Sequence, residues 1–135
     1  MENKIRIFCD GGSRGNPGPA ACAFVVYGQN NQIIHREGKF LGIATNNEAE
    51  YSAVVLALSY LGNLSDLDNL SFLLDSLLVV NQLNGLWKVK EPRLRELLMK
   101  VRGLENNRKI TYAHIPRSQN SVADLLVNAT LDRYT

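Results

Sequence analysis

The first third of the chain has apolar and polar residues in short alternating or continuous blocks, which is the pattern of β-strands. In the first block Ile5, Ile7 and Cys9 alternate with Arg6, Phe8 and Asp10. The second block is an almost continuous apolar run, and the third is more polar, as in an edge strand. The predicted strands lie at residues 4–10, 20–27 and 32–41. Residues 28–31, Gly-Gln-Asn-Asn, predict a hairpin connection between the second strand and the third.

The rest of the chain predicts helices that alternate with two further strands. The predicted helices lie at about 47–61, 76–83, 93–104 and from residue 120 or 121 onward, and the strands at 70–75 and 109–115. The first helix follows Thr45-Asn46-Asn47-Glu48, which matches a capping box, and it stops at Gly62-Asn63. Helical crossovers join parallel strands and hairpins join antiparallel ones, so the order βββαβααβα predicts a mixed α/β sheet flanked by helices.

The length and composition indicate a single globular domain over residues 1–135. With 45% hydrophobic and 21% charged residues, the chain resembles a soluble protein, and no apolar run approaches the ~20 residues that span a bilayer. Met1 is not followed by a basic and apolar leader, so we expect a cytoplasmic protein without a membrane segment. Cys9 and Cys22 form no CxxC motif, which favours a reduced compartment, although a disulfide between them stays open.

Charge is distributed unevenly along the sequence. Residues 1–85 hold 5 basic and 8 acidic side chains, a net charge of −3, whereas residues 86–135 hold 10 and 5, a net charge of +5. This division favours a cation-binding site beside an anion-binding surface. Ordinary scatter of surface charge explains the same numbers.

Four acidic residues stand where the pattern predicts strand ends or helix starts. Asp10 and Asp75 each end a predicted strand, and the carboxyl edge of an open α/β sheet is where ligands gather. Glu50 lies on the apolar stripe of the first helix, whereas Glu48 is placed to complete the capping box. Asp124 lies one turn inside the last helix. Each has a simpler local explanation: turn initiation for Asp10, an N-cap for Asp75, and a favourable helix dipole for Glu50 and Asp124.

Convergence of these acids would create a cation site. Carboxylates that share a pocket repel one another unless a divalent ion compensates, and oxygen ligands suit Mg²⁺ or Mn²⁺ rather than Zn²⁺. Two such ions ~3.5–4 Å apart can activate a water and stabilise both oxygens of a phosphoryl displacement. The glycine-rich segment 11–19 is followed by a strand, which excludes a Rossmann or Walker phosphate loop.

Four segments in this order resemble the motifs of type 1 ribonuclease H. They are Phe-Cys-Asp-Gly-Gly-Ser-Arg-Gly-Asn-Pro-Gly-Pro-Ala at 8–20, Thr-Asn-Asn-Glu-Ala-Glu-Tyr at 45–51, Leu-Asp-Ser at 74–76 and His-Ile-Pro-Arg-Ser-Gln-Asn-Ser-Val-Ala-Asp at 114–124. The resemblance implies a five-stranded sheet of order 3-2-1-4-5 with the first three strands antiparallel. It also implies an endonuclease that hydrolyses the RNA strand of an RNA–DNA hybrid with two Mg²⁺ ions, Mn²⁺ being the substitute, leaving 5′-phosphate and 3′-hydroxyl ends. Its catalytic metal ligands would be Asp10, Glu50, Asp75 and Asp124.

The same resemblance offers two residues for turnover. His114 precedes Asp124 by ten residues, the spacing of the family's loop histidine, and would shuttle protons or help the product to leave. A surface histidine at a strand end is the simpler explanation. Arg117 is the rival, because short archaeal relatives place an arginine near the metals.

Substrate contacts are also implied by the resemblance. The implied residues are Gly11, Gly12, Ser13, Asn16, Thr45, Asn46, Asn47, Trp87, Lys88, Lys90 and Asn120. The glycine-rich segment would approach the RNA strand, Thr45 a DNA phosphate, and Asn46 and Asn47 the minor groove. Residues 87–90, here called the basic strip, suit phosphate contacts together with Arg93 and Arg95, although Arg95 also fits a solvated helix face.

The sequence departs from the family pattern at two places, so some of the family's substrate contacts are not implied for this chain. Leu77 replaces a polar residue that touches substrate in many relatives, and the long basic protrusion of some bacterial members is absent. Asn120 fits an N-cap as well as a contact beside the last acid. We expect a monomer that binds RNA–DNA hybrid, with double-stranded RNA as a second candidate substrate. A non-catalytic nucleic-acid-binding module and the ribonuclease H portion of a reverse transcriptase are the competing interpretations.

Overall fold

The computed structural model describes residues 4–62 and 69–135, and these form five strands, four α-helices and one 3-10 turn. The strands are β1 (Lys4–Ser13), β2 (Gly18–Tyr27), β3 (Ile33–Ala44), β4 (Asn69–Leu74) and β5 (Lys109–His114). The helices are α1 (Asn46–Leu61), α2 (Leu77–Leu83), α3 (Pro92–Glu105) and α4 (Ser121–Tyr134), and the 3-10 turn is Arg117–Gln119. The predicted order of elements is therefore confirmed; Asn63, part of the predicted stop of the first helix, lies outside the described residues.

The sheet has the strand order β3-β2-β1-β4-β5, as the resemblance implied. The pairs β1–β2 and β2–β3 are antiparallel, whereas β1–β4 and β4–β5 are parallel. The parallel pairing of β1 with β4 ends at Cys9 and Leu74, so the chain positions that follow both strands lie at one edge of the sheet. That edge is where the candidate site forms.

The glycine-rich segment is less of a loop than the sequence predicts. Gly11, Gly12 and Ser13 continue β1 and pair with β2, and only residues 14–17 leave the sheet. β2 accordingly begins at Gly18 rather than at Ala20. Glycines pair through their backbone and have no side chains that could alternate between apolar and polar. The sequence pattern therefore predicts a strand end at residue 10 although the strand continues.

The two faces of the sheet are covered unequally. The larger core lies on the side of α1 and α3, where Tyr51, Leu58 and Phe72 are fully buried. On the other face α4 packs against β2 through a smaller cluster of Ala21, Ala23, Val127 and Leu131. This arrangement brings the first turns of α1 and α4 toward the same edge of the central strand β1, from opposite faces.

Both cysteines are free and fully buried in the larger core. Burial raises the pKa of the Cys22 thiol to about 12 and raises that of Cys9 as well. The disulfide that the sequence left open is not formed. Across residues 4–62 and 69–135, no helix has the length and apolar character needed to cross a bilayer.

Candidate active site

Two carboxylates project where β1 and β4 stop pairing. Asp10 follows Cys9 and Asp75 follows Leu74, the last pair of the parallel ladder. Asp10 is 6% exposed, so its carboxyl group lies in the protein rather than in solvent. The parallel ladder thus aligns two acids that are 65 positions apart in the sequence.

Glu50 reaches this edge because a glycine allows α1 to approach β1 closely. A Cβ atom placed on Gly11 would lie 2.2 Å from the backbone carbon of Ala49 and 2.5 Å from the nitrogen of Glu50, closer than any real side chain tolerates. The Gly11 N–H donates to Glu50 Oε1 at 3.1 Å, and Glu50 itself is 5% exposed. The absent side chain at Gly11 is therefore what places the third carboxylate beside Asp10.

Asp75 is not the cap of the following helix, which was its simpler explanation. Ser76 is the N-cap of α2, and its hydroxyl accepts a hydrogen bond from the Val79 N–H at 3.3 Å. The Asp75 carboxylate instead accepts a hydrogen bond from the Asn120 side-chain amide at 3.2 Å. Capping by its neighbour leaves Asp75 available for the cluster.

Asn120, for which a substrate contact is expected, is held in the interior of the protein. It occupies the N-cap position of α4, yet its side chain makes no capping bond and is buried, with the residue 1% exposed. The amide donates to the Cys9 carbonyl at 2.8 Å as well as to Asp75. Asn120 thereby ties the ends of β1 and β4 to the start of α4, while its Oδ1, in the described part of the chain, has no hydrogen-bond partner.

Asp124 lies at the rim of the cluster. Its carboxylate is 3.6 Å from the Arg117 guanidinium and accepts a 3.4 Å hydrogen bond from Asn128, which also donates to the Asp124 carbonyl. Asp10, Glu50 and Asp75 form a tighter group in which one ligand oxygen from each lies within 4.8 Å of the others. Three of the four predicted acids thus form the centre, and the fourth stands beside them.

Asp10 and Glu50 hold protons more tightly than free carboxylic acids do. The pKa of Asp10 is raised from 3.8 to about 7, chiefly by burial and in smaller part by the charges of Asp75 and Asp124, although a hydrogen bond with Glu50 lowers it. Burial, followed by repulsion from Asp10, raises the pKa of Glu50. A bound cation would stabilise such a site, because its positive charge would compensate carboxylate charges that burial and mutual repulsion make unfavourable.

The donor set fits a hard divalent cation. The three central groups are carboxylates, the ligands of Mg²⁺ and Mn²⁺. Within the described part of the chain, Glu50 Oε2 is buried and has no hydrogen-bond partner. A buried oxygen of this kind is costly unless a cation or a proton satisfies it, so Asp10, Glu50 and Asp75 are suited to hold an ion.

The cluster opens into a cavity of about 390 Å³. The lining residues are Asp10, Gly11, Gly12, Ser13, Arg14, Asn46, Asn47, Glu50, Asp75, Ser76, Arg117, Asp124, Val127, Asn128 and Leu131. Arg117 is among them, whereas His114 is the exposed last residue of β5. The geometry therefore favours Arg117 over His114 as the basic group at this site.

The start of α1 and the glycine-rich segment are linked by asparagine side chains. The Ser13 N–H donates to Asn46 Oδ1 at 2.8 Å, and the Asn46 N–H donates to Asn16 Oδ1 at 2.9 Å. Thr45 caps α1 by accepting from the Glu48 N–H at 3.2 Å, one half of the predicted capping box. These bonds hold the exposed polar groups of Asn16 and Asn46 beside the cavity.

The basic strip lies apart from the cavity lining. Lys88 and Lys90 are exposed and Trp87 is 47% exposed. Arg93 is 4.0 Å from the Glu48 carboxylate and 3.0 Å from that of Glu96, so part of its charge is already paired. The strip consequently offers Trp87, Lys88 and Lys90 to a ligand that extends beyond the cavity.

Sequence reasoning missed Arg14 and Asn128, which also line the cavity. The Arg14 guanidinium forms an ion pair with Asp132 at 2.6 Å. The pattern of the sequence could not indicate this contact, because Asp132 lies in the last helix, far from Arg14 in the chain. Asn128 stands four positions after Asp124, the spacing of neighbours on one helix face. That spacing is a signal that could have identified Asn128.

Comparison with known proteins places this geometry in a family. The model of the family described as reverse transcriptase-like matches residues 8–130. A bifunctional protein of Mycobacterium tuberculosis is 41% identical over 96% of this chain, and ribonuclease HI of Halobacterium salinarum is 38% identical over 96%. The chain spans only 36% and 65% of the length of these two relatives.

A solved structure matches over nearly its whole length. LC11-RNase H1, crystallised in complex with an RNA/DNA hybrid, superimposes with a TM-score of 0.92 at 38% identity, covering 96% of this chain and 98% of the other. The similarity therefore extends over the sheet, the helices and the site together.

Proposed function

The chain belongs to the type 1 ribonuclease H branch of the reverse transcriptase-like family, and we propose that it hydrolyses the RNA strand of RNA–DNA hybrids. The observation that carries this proposal is the group of three carboxylates at the carboxyl edge of the parallel strands. The hybrid bound to the similar LC11-RNase H1 supports the choice of substrate. The proposed products carry 5′-phosphate and 3′-hydroxyl ends.

The proposed cofactor is Mg²⁺, with Mn²⁺ as a substitute and two ions per site when substrate is bound. Asp10, Glu50 and Asp75 would hold the ions, and Asp124 would complete the site from the rim. When bound, such ions supply the charge that activates a water for attack on the phosphate and stabilises the leaving oxygen. The unsatisfied Glu50 oxygen and the raised pKa of Asp10 support this assignment.

The protein's own contribution is to hold the carboxylates in place before substrate arrives. The Gly11 N–H orients Glu50, and the Asn120 amide orients Asp75 against the end of β1. Because these donors are a strand backbone N–H and a buried side chain, the carboxylate oxygens lose little freedom when they bind a ligand.

Arg117 is the proposed basic assistant. It lies on the 3-10 turn before α4, is exposed, and stands 3.6 Å from Asp124 beside the cavity. From there it can contact a phosphate oxygen of the substrate or of the departing product. His114 keeps a secondary place as a proton shuttle at the end of β5.

The hybrid is proposed to lie across the cavity and toward the basic strip. Gly12, Ser13 and Asn47 line the cavity, where the RNA strand would lie. Lys88 and Lys90 would neutralise phosphates outside it. We also propose that the protein acts as a monomer in the cytoplasm. Double-stranded RNA is its second candidate substrate.

Cleavage of an end-labelled RNA–DNA hybrid tests the proposal. The purified protein should cut the RNA strand internally with Mg²⁺ or Mn²⁺ and stop in EDTA, and mass spectrometry of the fragments should show 5′-phosphates. Binding of the hybrid without cleavage under all metal conditions would instead identify a non-catalytic binding module. Equal cutting of the DNA strand would contradict the substrate assignment.

A further inference from the structure

The buried polar side chain of Gln82 takes no part in the carboxylate cluster. Gln82 lies on α2 and is 5% exposed, among mostly apolar core residues. Buried amides persist in proteins where their hydrogen bonds are made, so the partners of Gln82 show what it holds together.

Gln82 connects the site helix to the basic strip. The Tyr51 hydroxyl donates to Gln82 Oε1 at 2.7 Å, and Gln82 Nε2 donates to the backbone carbonyl of Lys88 at 3.3 Å. Tyr51 is fully buried and directly follows Glu50 on α1. A continuous path of hydrogen bonds therefore runs from the helix that carries Glu50 to the backbone of the strip.

The strip depends on such contacts because it has no regular secondary structure of its own. The Trp87 N–H donates to the Asn81 carbonyl at 3.2 Å, which holds its first residue. Val89 is half-buried against the main core. Between these two points the bond from Gln82 fixes the peptide of Lys88, whose side chain is exposed.

We propose that Gln82 is a positioning residue that sets the basic strip at a fixed distance from the carboxylate cluster. With the strip held, Lys88 and Lys90 reach hybrid phosphates while the scissile phosphate lies at the carboxylates. The inference rests on the proposed function, since it assigns the strip to the same substrate. Gln82 acts through the strip and touches no reacting atom.

The salt dependence of binding distinguishes this role from a merely structural one. Each phosphate contact adds about 0.9 to the slope of log affinity against log salt for a B-form duplex. A mutation that only weakens the fold lowers the melting temperature and leaves that slope unchanged. A mutation that releases the strip removes contacts and lowers the slope.

The test compares Gln82→Leu with Lys88→Ala/Lys90→Ala and with the combination of all three changes. Hybrid affinity is measured by fluorescence anisotropy in EDTA over a series of salt concentrations, so that no cleavage occurs. We expect Gln82→Leu to lower the slope by about 1 to 2, as loss of one or two phosphate contacts does, and to add nothing in the combination. It should raise the KM for hybrid cleavage and leave kcat near wild type.

Two further variants keep the test decisive. Tyr51→Phe/Gln82→Leu replaces both buried polar partners with apolar groups, which is the better-tolerated change if Gln82→Leu fails to fold. Asn84→Ala removes a bond from the end of α2 to the Tyr112 carbonyl and is the matched control, with an unchanged slope expected. A wild-type slope in folded Gln82 variants, or a further loss in the combination, would overturn the proposal.

The experiment also separates this proposal from the proposed function. Anisotropy in EDTA reports binding alone, so its outcome does not require cleavage. A wild-type protein that cleaves nothing with any metal contradicts the proposed function, whereas a cleaving protein with an unaltered slope in the Gln82 variants contradicts only the role of Gln82.

Discussion

The carboxylate cluster and the basic strip differ in how the chain builds them. The cluster gathers Asp10, Glu50 and Asp75 from three elements, and each is fixed by strand pairing, close helix packing or a buried amide. The strip is one continuous segment, exposed and held by a few contacts to α2 and the core. The cluster is rigid and dispersed in sequence, and the strip is local and lightly anchored.

This difference follows from what each region is proposed to bind. An ion held by several oxygens demands positions within a few tenths of an ångström, which strands and packed helices provide. Phosphates along a duplex tolerate displacement, because long lysine side chains adjust to them. Mutations in the cluster should therefore affect chemistry, and mutations in the strip should affect affinity.

Removing a central carboxylate should give the largest effect. Asp10→Asn or Asp75→Asn should lower the cleavage rate by about a thousand-fold or more, since metal assistance supplies several kcal/mol and each 1.36 kcal/mol is tenfold. Hybrid binding should persist. Cleavage and anisotropy assays on the same preparations measure both, with the exposed Glu96→Gln as control. Wild-type rates in either folded variant would remove the metal assignment.

Blocking the approach of α1 to β1 should come next. Gly11→Ala places a Cβ against the Ala49 backbone and should lower the free energy of unfolding by about 3 kcal/mol, the upper range for overpacking. It should also reduce cleavage by displacing Glu50. Gly12→Ala, whose Cβ would lie 3.7 Å from Val127, is the matched control. Equal free energies of unfolding for the two variants, measured by urea denaturation, would contradict the claim that Gly11 is needed for α1 to pack closely against β1.

The two basic candidates should separate kinetically. Arg117→Ala should lower kcat by about tenfold, because it removes a charged group that lies beside Asp124 and lines the cavity where the phosphate is proposed to bind. His114→Ala should have a smaller effect, since His114 lies at the exposed end of β5. Steady-state kinetics on both variants measures this order. A larger loss of kcat in His114→Ala would return the role to the histidine.

The pH dependence of stability should give the smallest effect. The pKa of Asp10 rises on folding from 3.8 to about 7, so in metal-free protein its favourable contribution is present at low pH and is lost as the pH rises through that range. Mg²⁺ should therefore raise the melting temperature more at pH 8 than at pH 5. Thermal denaturation with and without Mg²⁺ measures the difference, and Asp10→Asn should reduce it.

The sequence predicted the sheet order through its resemblance and the elements through their periodicity. It could not show that Gly11 to Ser13 continue β1, because glycine backbone pairing leaves no apolar alternation. The role of Asn120 was also out of reach, since its partner Cys9 lies 111 positions away. Position within an element is a local property, whereas the partner of a buried amide is set by tertiary packing.

The acidic residues of the site were easier to predict than buried hydrogen-bonding residues such as Gln82, because position in an element is visible in the sequence and a tertiary partner is not. A carboxylate at the end of an apolar strand is conspicuous in the sequence, as Asp75 is after Leu74. Gln82 stands in a short helix among apolar and polar neighbours and carries no such signal. Its link between Tyr51 and Lys88 becomes visible only in three dimensions.

Anomalous diffraction from crystals soaked in Mn²⁺ tests the central claim most directly. We predict density for an ion among the carboxylates of Asp10, Glu50 and Asp75, with Mn²⁺–oxygen distances of about 2.0–2.3 Å, as hard divalent cations require. Occupied Mn²⁺ sites elsewhere on the protein, with none among these three side chains, would contradict the account.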